Sequence, residues 1–372
     1  MLAKVKTVAA YMEELAPSTI AMSGDPVGLQ LGHPEAEVKK ILVALDPGFD
    51  AIREAAESEA DMLVTHHPLF YNKIASLDES NPSGHLAAEA LRKGMNIFSA
   101  HTNYDIAPRG VNYRLAEALG LPAEQGRVVE VTGSEQLLKL VVFIPAGHED
   151  NIRDAVSRAG AGQIGNYSHC TFQVPGTGTF MPGEGTDPYI GSRGRLEKVE
   201  EIRMETILPA TSKKEVIKAL IEAHPYEEVA YDLYPLALEG EKIGLGLLFE
   251  LEPPISMEFI LDKCLVTLKA ESLRSWDAGK SSFNRVAVCG GSGGSLIEPV
   301  VRQGAELLIS GDFRYHDLKL AQAYGLALVD AGHDATEWPG VIHLHKYLEE
   351  RLKADRYETG VNLQTSVSPG WK

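Results

Sequence analysis

The segment ILVALDPGFDAIREAAESEADMLVTHHPLF, residues 41–70, carries the first decision about the fold. Residues 41–45 form an apolar run of strand length, 50–60 reads as a helix, and 62–65 (MLVT) is a second strand. The same alternation continues outward. Residues 84–94 read as a helix closed by Gly94, 96–100 (NIFSA) as a third strand, and 110–119 as a helix ending at Gly120. Strands separated by helices of about ten residues predict a parallel sheet with helices packed on its faces.

The texture changes after Arg127. A strand at 137–144 (LLKLVVFI) and an amphipathic helix at 149–159 precede 163–190, which is rich in Gly, Thr, Tyr and Pro and reads as hairpins and long loops. A half-exposed strand at 199–208, a helix at 212–223 with Ser212 as N-cap, and a strand at 228–233 follow. This order resembles a ferredoxin-like α+β unit. From about Gly244 the α/β texture returns. It holds strands at 286–289, 307–310 and 326–330, and helices at 318–324 and 339–354. The expected architecture is therefore one α/β domain with a largely parallel sheet, interrupted by an α+β insert: residues 1–127, 128–240 and 241–372. Two α/β domains flanking a middle one are the alternative.

Composition narrows the function classes. The chain has 372 residues and a net charge of −17, so it repels polyphosphates at long range, and direct nucleic-acid binding is not expected. No apolar run reaches the roughly 18 residues a membrane helix needs. The N-terminal MLAKVKTVAAYMEELAP mixes lysines and glutamates among its apolar positions, unlike a signal peptide. Three scattered cysteines, Cys170, Cys264 and Cys289, argue against a disulfide framework and thiolate zinc sites, and read as small buried hydrophobes. A cytoplasmic location is the expectation.

Polar residues collect where the predicted strands end. Strand 62–65 runs into His66-His67, strand 96–100 into His101-Thr102-Asn103-Tyr104-Asp105, strand 307–310 into Gly311-Asp312 with His316 beyond, and strand 326–330 into Gly332-His333-Asp334-Ala335-Thr336-Glu337. Five of the twelve histidines lie in these four places, on what a single parallel sheet makes one edge, where ligands bind. Imidazole and carboxylate without thiolate suit catalytic zinc, manganese or iron. Adjacent histidines in extended backbone point to opposite sides, so His66 and His67 suit two ions about 3.5–4 Å apart. His333 and Glu337 share a face if a helix begins there, Asp105 completes the shell, and Glu337 is the economical bridge. His101 and His316 are candidate general bases, metal neighbours or structural hydrogen-bonders. His343 and His345 read as surface or packing residues. The run Gly290-Gly291-Ser292-Gly293-Gly294-Ser295 joins strand to helix, either as a tight turn or as a phosphate cradle. Arg193, Arg195 and Lys198 read as a solvated face.

THHPLF at 65–70, HTNYD at 101–105, GDFRYHD at 311–317 and GHDATE at 332–337 resemble the GTP cyclohydrolase type 2 homolog family, the NGG-interacting-factor-like proteins, across essentially the whole chain. DPVGLQLG at 25–32 is similar to that family's N-terminal signature, with Gly24-Asp25-Pro26 where Trp-Asp-Asn is usual, and Tyr315-His316 stands where the family pairs histidines. The resemblance implies a two-metal centre in which His67 and Asp105 hold one ion, His66 and His333 the other, and Glu337 is shared. It also implies a toroidal homohexamer, and an insert similar to the CutA and PII-like trimer-forming domains on the strength of HPYEEVAYDLY at 224–234. The activity it implies is hydrolytic opening of a nucleotide ring by two divalent cations, zinc first, with manganese or iron as alternatives. A regulatory or scaffolding assembly with a sensing insert is the competing expectation.

Overall fold

The 41–70 segment folds as strand Lys40–Ala44, helix Phe49–Glu57 and strand Met62–Thr65. In the computed structural model, residues 1–72, 74 and 76–365 are described. The chain divides into two units, one made of Met1–Gly133 with Ile243–Lys372, the other of Ser134–Lys242. Both are mixed α/β.

Besides a two-stranded pairing of Ala3–Lys4 with Glu37–Val38, the first unit contains strands of two larger sheets where a single one is expected from the sequence. One has the order Gly360–Leu363, Lys40–Ala44, Met62–Thr65, Asn96–Ser99, Gly28–Leu31, parallel except for the last strand. Both of its faces are covered. Leu42, Ala44, Leu63 and Ile97 pack on the helices carrying Ile52, Ala55, Ala87 and Ala90. Ile41, Val43, Met62, Val64 and Phe98 pack against Val5, Val8, Met12 and Leu344. The other sheet sets Ser282–Ser292, Leu307–Gly311 and Ala327–Asp330 in parallel, with Arg274–Trp276 antiparallel at its edge and the Leu247–Ser256 end of Tyr231–Ser256 antiparallel on the far side. Val286, Val288, Leu307, Ile309 and Val329 face Leu115, Leu119 and Ile260, while Ala287, Leu308 and Leu328 face Ile297, Val300 and Ala321. Each set of strands has helices for both faces, so the strands close into separate sheets; an alternating strand–helix pattern cannot say which strands pair.

One helix joins the two cores. His333–Ala354 places Val341, Leu344, Leu348 and Leu352 against the first sheet and Ala335 against the second. It begins six residues earlier than the sequence pattern suggests and carries Pro339 inside.

In the Ser134–Lys242 unit, the strand reaching Pro145 pairs antiparallel with Glu197–Pro209, which pairs in turn with Thr171–Phe180. Helices Glu149–Arg158 and Lys213–Ala223 cover one face through Ile152, Val156, Val216 and Leu220 on Leu140, Val142, Ile144 and Met204. Ser212 stands at the N-cap but with φ −89° and ψ 1° its hydroxyl makes no cap bond, because capping needs extended backbone there. Arg193, Arg195 and Lys198 are exposed, and Cys264 and Cys289 are buried while Cys170 is only partly so. No helix among the described residues is long and apolar enough to cross a membrane.

Candidate metal centre

Thr65 ends its strand with its hydroxyl donating to the His67 carbonyl at 2.7 Å, which pins the turn carrying the histidine pair. Past the end of the strand, His66 and His67 both bond through their backbone N–H groups to the same neighbouring segment, at Ala44 and Leu45, so the regular alternation expected of the pair is broken and both rings turn toward Glu337. The ring centroids are 5.1 Å apart, and both residues are buried. His101 follows Asn96–Ser99, and Asp105 lies on the short helix Thr102–Ile106 that begins after it. His333 and Glu337 come from the first turn of His333–Ala354. The donors therefore leave the carboxyl ends of two sheets, not one.

Each of the four imidazoles has its Nδ1 tied to an oxygen. His66 reaches the Ala100 carbonyl at 2.8 Å, His67 reaches Asp46 at 2.7 Å, His101 reaches Asp25 at 2.9 Å and His333 reaches Asp312 at 2.7 Å. Such outer partners fix ring orientation and leave the Nε2 lone pair as the free ligand atom. The Nε2 atoms converge on Glu337, with His67 at 3.0 Å, His333 at 3.2 Å and His66 at 3.5 Å, while His66 Nε2 is 3.6 Å from Asp105 Oδ1. His67 and His333 present their Nε2 atoms to each other at 3.2 Å. Two ring nitrogens that close, with a carboxylate beside both, have the spacing of two ligands on one cation.

The donor atoms form three groups that could hold a metal ion: His67, His333 and Glu337; His66, Asp105 and Glu337; and His66, His67 and His101. All five ligands that the resemblance implies, His66, His67, Asp105, His333 and Glu337, fall within these overlapping groups. Glu337 is common to the first two groups. His66 Nε2 and Asp105 Oδ1 are buried without a hydrogen-bond partner, an arrangement costly in a finished core and suited to cation coordination. A nitrogen and oxygen donor set without sulfur fits a divalent first-row ion.

The electrostatics agree. Burial pushes His67 down, but hydrogen bonds to Asp46 and Glu337 outweigh it and hold it up at about 10. His333 is likewise held up to about 9 against burial by Glu337 and Asp312. Burial raises Asp105 to about 6. Burial also pushes Glu337 upward, yet the three surrounding imidazoles hold it well below the usual carboxylate range. A cation that took these nitrogens as ligands would displace their protons.

The glycine run is a close-packing device here. Gly290 N–H donates to Asn112 Oδ1 and Gly291 N–H to Thr336 Oγ1, both at 2.9 Å, and Gly293 N–H reaches the Gly311 carbonyl at 3.3 Å, which leaves these three groups unavailable to a phosphate. A Cβ on Gly291 would stand 2.3 Å from Glu337 Oε1. At Gly311 it would stand 2.6 Å from the His333 backbone nitrogen.

His316 is not brought into the centre. It is exposed on helix Tyr315–Tyr324, its ring edge-on to Tyr315. The residue it follows in the sequence pattern, Asp312, is the one that reaches the site, in the left-handed region at φ +57°. Asp25, Asp46 and Asp312 are the additional participants. Asp46 and Asp312 each follow a parallel strand's carboxyl end by one or two residues, the same positional signal that picks out the histidines. His343, half-buried, stacks on Tyr104 with 8° between the rings.

The profile of the Duf34/NIF3 (NGG1p interacting factor 3) family matches residues 3–368. A GTP cyclohydrolase 1 type 2 homolog of Halalkalibacterium halodurans is 40% identical over 362 residues, covering 97% of this chain and 96% of the relative. The Bacillus subtilis protein of the same description is 38% identical over 327 residues, 87% of this chain and 86% of its own. Among solved structures, a Bacillus cereus protein related to NIF3 superposes with a TM-score of 0.78 at 37% identity, covering 100% of this chain and 99% of that one. The chain belongs to the Duf34/NIF3 (NGG1p interacting factor 3) family.

Proposed function

We propose that the chain is a metal-dependent hydrolase of a nucleotide or other phosphorylated small molecule, working through a dinuclear centre held by His66, His67, Asp105 and His333, with Glu337 shared between the ions. The observation that carries this reading is the set of four imidazoles, each tied at Nδ1 to an oxygen and each left with a free Nε2. Zinc is the first candidate, with manganese and iron compatible with the same donors. When bound, such ions supply Lewis-acid polarisation and bring the acidity of water toward neutral pH.

The chain's own residues do the rest. Asp25 accepts from His101 Nδ1 and, through its other oxygen, from the Thr102 backbone N–H at 3.0 Å, so the imidazole is locked with Nε2 as acceptor. His101 lies within 6 Å, ring to ring, of both His66 and His67, where it can take a proton from the attacking group and return it to the leaving one. Buried Glu337 and the strand-end histidines orient the reacting groups. For a guanine nucleotide, the substrate named in the relatives' descriptions, the reaction would be ring opening by water. A homohexamer is part of the same reading, measured by light scattering.

Full-length protein loaded with zinc, manganese or iron should turn over at least one member of a nucleotide and phosphoester panel. His101→Gln should keep its metal by elemental analysis and lose about 10²–10⁴-fold in rate. No turnover with any ion, together with a His67→Ala variant indistinguishable from wild type in metal content, overturns the reading.

A further inference from the structure

The Ser134–Lys242 unit contains a cavity of about 620 Å³, within the size range of small-molecule sites. Its floor is the sheet face opposite the two helices, where Phe143 and Val174 both pair across the strands with Arg203. Its walls include Phe180, Tyr189 and Tyr226. Phe180 and Tyr226 are 5.8 Å apart and inclined by 61°, and Tyr189 and Tyr226 are 6.3 Å apart and inclined by 52°, so three rings enclose one corner.

At that corner lies Glu201. The residue is 9% exposed, and its carboxylate accepts one hydrogen bond, from the Tyr226 hydroxyl at 3.2 Å. Among the described residues no lysine, arginine or histidine pairs with it. A Cβ on Gly178 would stand 2.0 Å from Glu201 Oε2, so glycine on the neighbouring strand is what gives this carboxylate its place. The cation next along the strand is already committed: Arg203 Nε is 3.0 Å from Glu205 Oε1 and its guanidinium lies over the Phe143 ring. A carboxylate taken out of water without a counter-charge is costly, and a protein keeps one where a ligand supplies the charge.

We infer that this cavity is a binding site for a small organic cation, an ammonium group on an apolar body, with the charge on Glu201 and the aromatic faces of Phe180, Tyr189 and Tyr226. Aromatic rings around a carboxylate recognise alkylated ammonium groups by cation–π attraction as well as charge. A divalent metal does not suit the place, since it needs six or more oxygens or several imidazoles. An anion does not suit it either, because Glu201, Glu227 and Glu228 line the cavity against Arg203 alone, itself paired.

Calorimetric titration of the full chain with benzyltrimethylammonium, 2-phenylethylamine and 3-phenylpropionate tests the inference. Expected are saturable binding of both ammonium probes, at least tenfold tighter than the carboxylate, and at least a tenfold loss with Glu201→Gln at unchanged circular dichroism and Tm. Tyr226→Phe should weaken binding by less, because its hydroxyl only orients Glu201. Absence of saturable binding, equal affinity for ammonium and carboxylate probes, or wild-type affinity in a folded Glu201→Gln chain overturns it. Ammonium binding that appears only when sedimentation shows the assembly dissociated also overturns it, in favour of a second copy of the chain filling the cavity.

Discussion

In the unit built from Met1–Gly133 and Ile243–Lys372, four imidazoles and two carboxylates crowd one point, each imidazole held from behind by an oxygen. In the Ser134–Lys242 unit, Glu201 is buried with one phenol for company and aromatic rings around it. Both places leave polar atoms short of partners, yet the surroundings differ in kind. Converging nitrogen and oxygen donors on rigid strand ends suit a compact divalent first-row ion that several donors can share. A single carboxylate among rings calls for a diffuse charge on an apolar body. The partner that is missing is therefore readable from the company each buried group keeps.

The sharpest way to break this contrast is to remove charge from each centre in turn. Glu337→Gln neutralises the carboxylate shared by two of the three ligand groups, and bound metal should fall more than about 100-fold in affinity, beyond the ~10–100-fold typical of an outer partner. Glu201→Gln should leave metal content unchanged. Elemental analysis after dialysis against a chelator series measures both, and equal metal retention in the two variants would erase the distinction. Asp46→Asn is the smaller step. It keeps a hydrogen bond to His67 Nδ1 but removes the charge behind it, so affinity should drop about 10–100-fold while the other ligands stay in place.

Much of the centre was legible in the sequence because strand ends are. His66, His67, Asp105, His333 and Glu337 each follow an apolar strand by a few residues, and the structure brings all five together. His316 was misplaced by the same rule, since helix Tyr315–Tyr324 turns it outward once Asp312 has made its contact with His333. Sheet membership was not legible: local alternation gives strands and helices but not pairing, so two sheets read as one. The cavity around Glu201 left no trace either, as its rings come from segments 143, 180, 189 and 226 that share no spacing.

Histidines in two environments give the last and smallest test, because they tilt stability in opposite directions. Arg114 Nη2 donates to His343 Nε2 at 2.8 Å, so that ring must be neutral, with its Nδ1–H donated to the Tyr104 oxygen at 2.7 Å and the Tyr104 hydroxyl passing on to the Gly340 carbonyl at 3.2 Å. Burial and then the Arg114 charge push His343 down to about 4. Its unfolded value is near 6.5, so the unfolded chain takes up the proton first; the stability it contributes is complete above pH 6.5 and fades as pH falls toward 4, by up to about 3 kcal/mol, less what solvent screening of this half-buried ring removes. His67 and His333, raised to about 10 and about 9, work the other way in metal-free protein: their contribution is complete below pH 6.5 and is lost as pH climbs through 9 to 10. A bound cation needs both rings deprotonated, so metal uptake should release protons at neutral pH and remove the alkaline loss while leaving the acid one. Urea unfolding from pH 4 to 10, with and without chelator, separates the two limbs. If chelation changed the acid limb and spared the alkaline one, the assignment of His67 and His333 to the cation and of His343 to the Tyr104 network would be reversed.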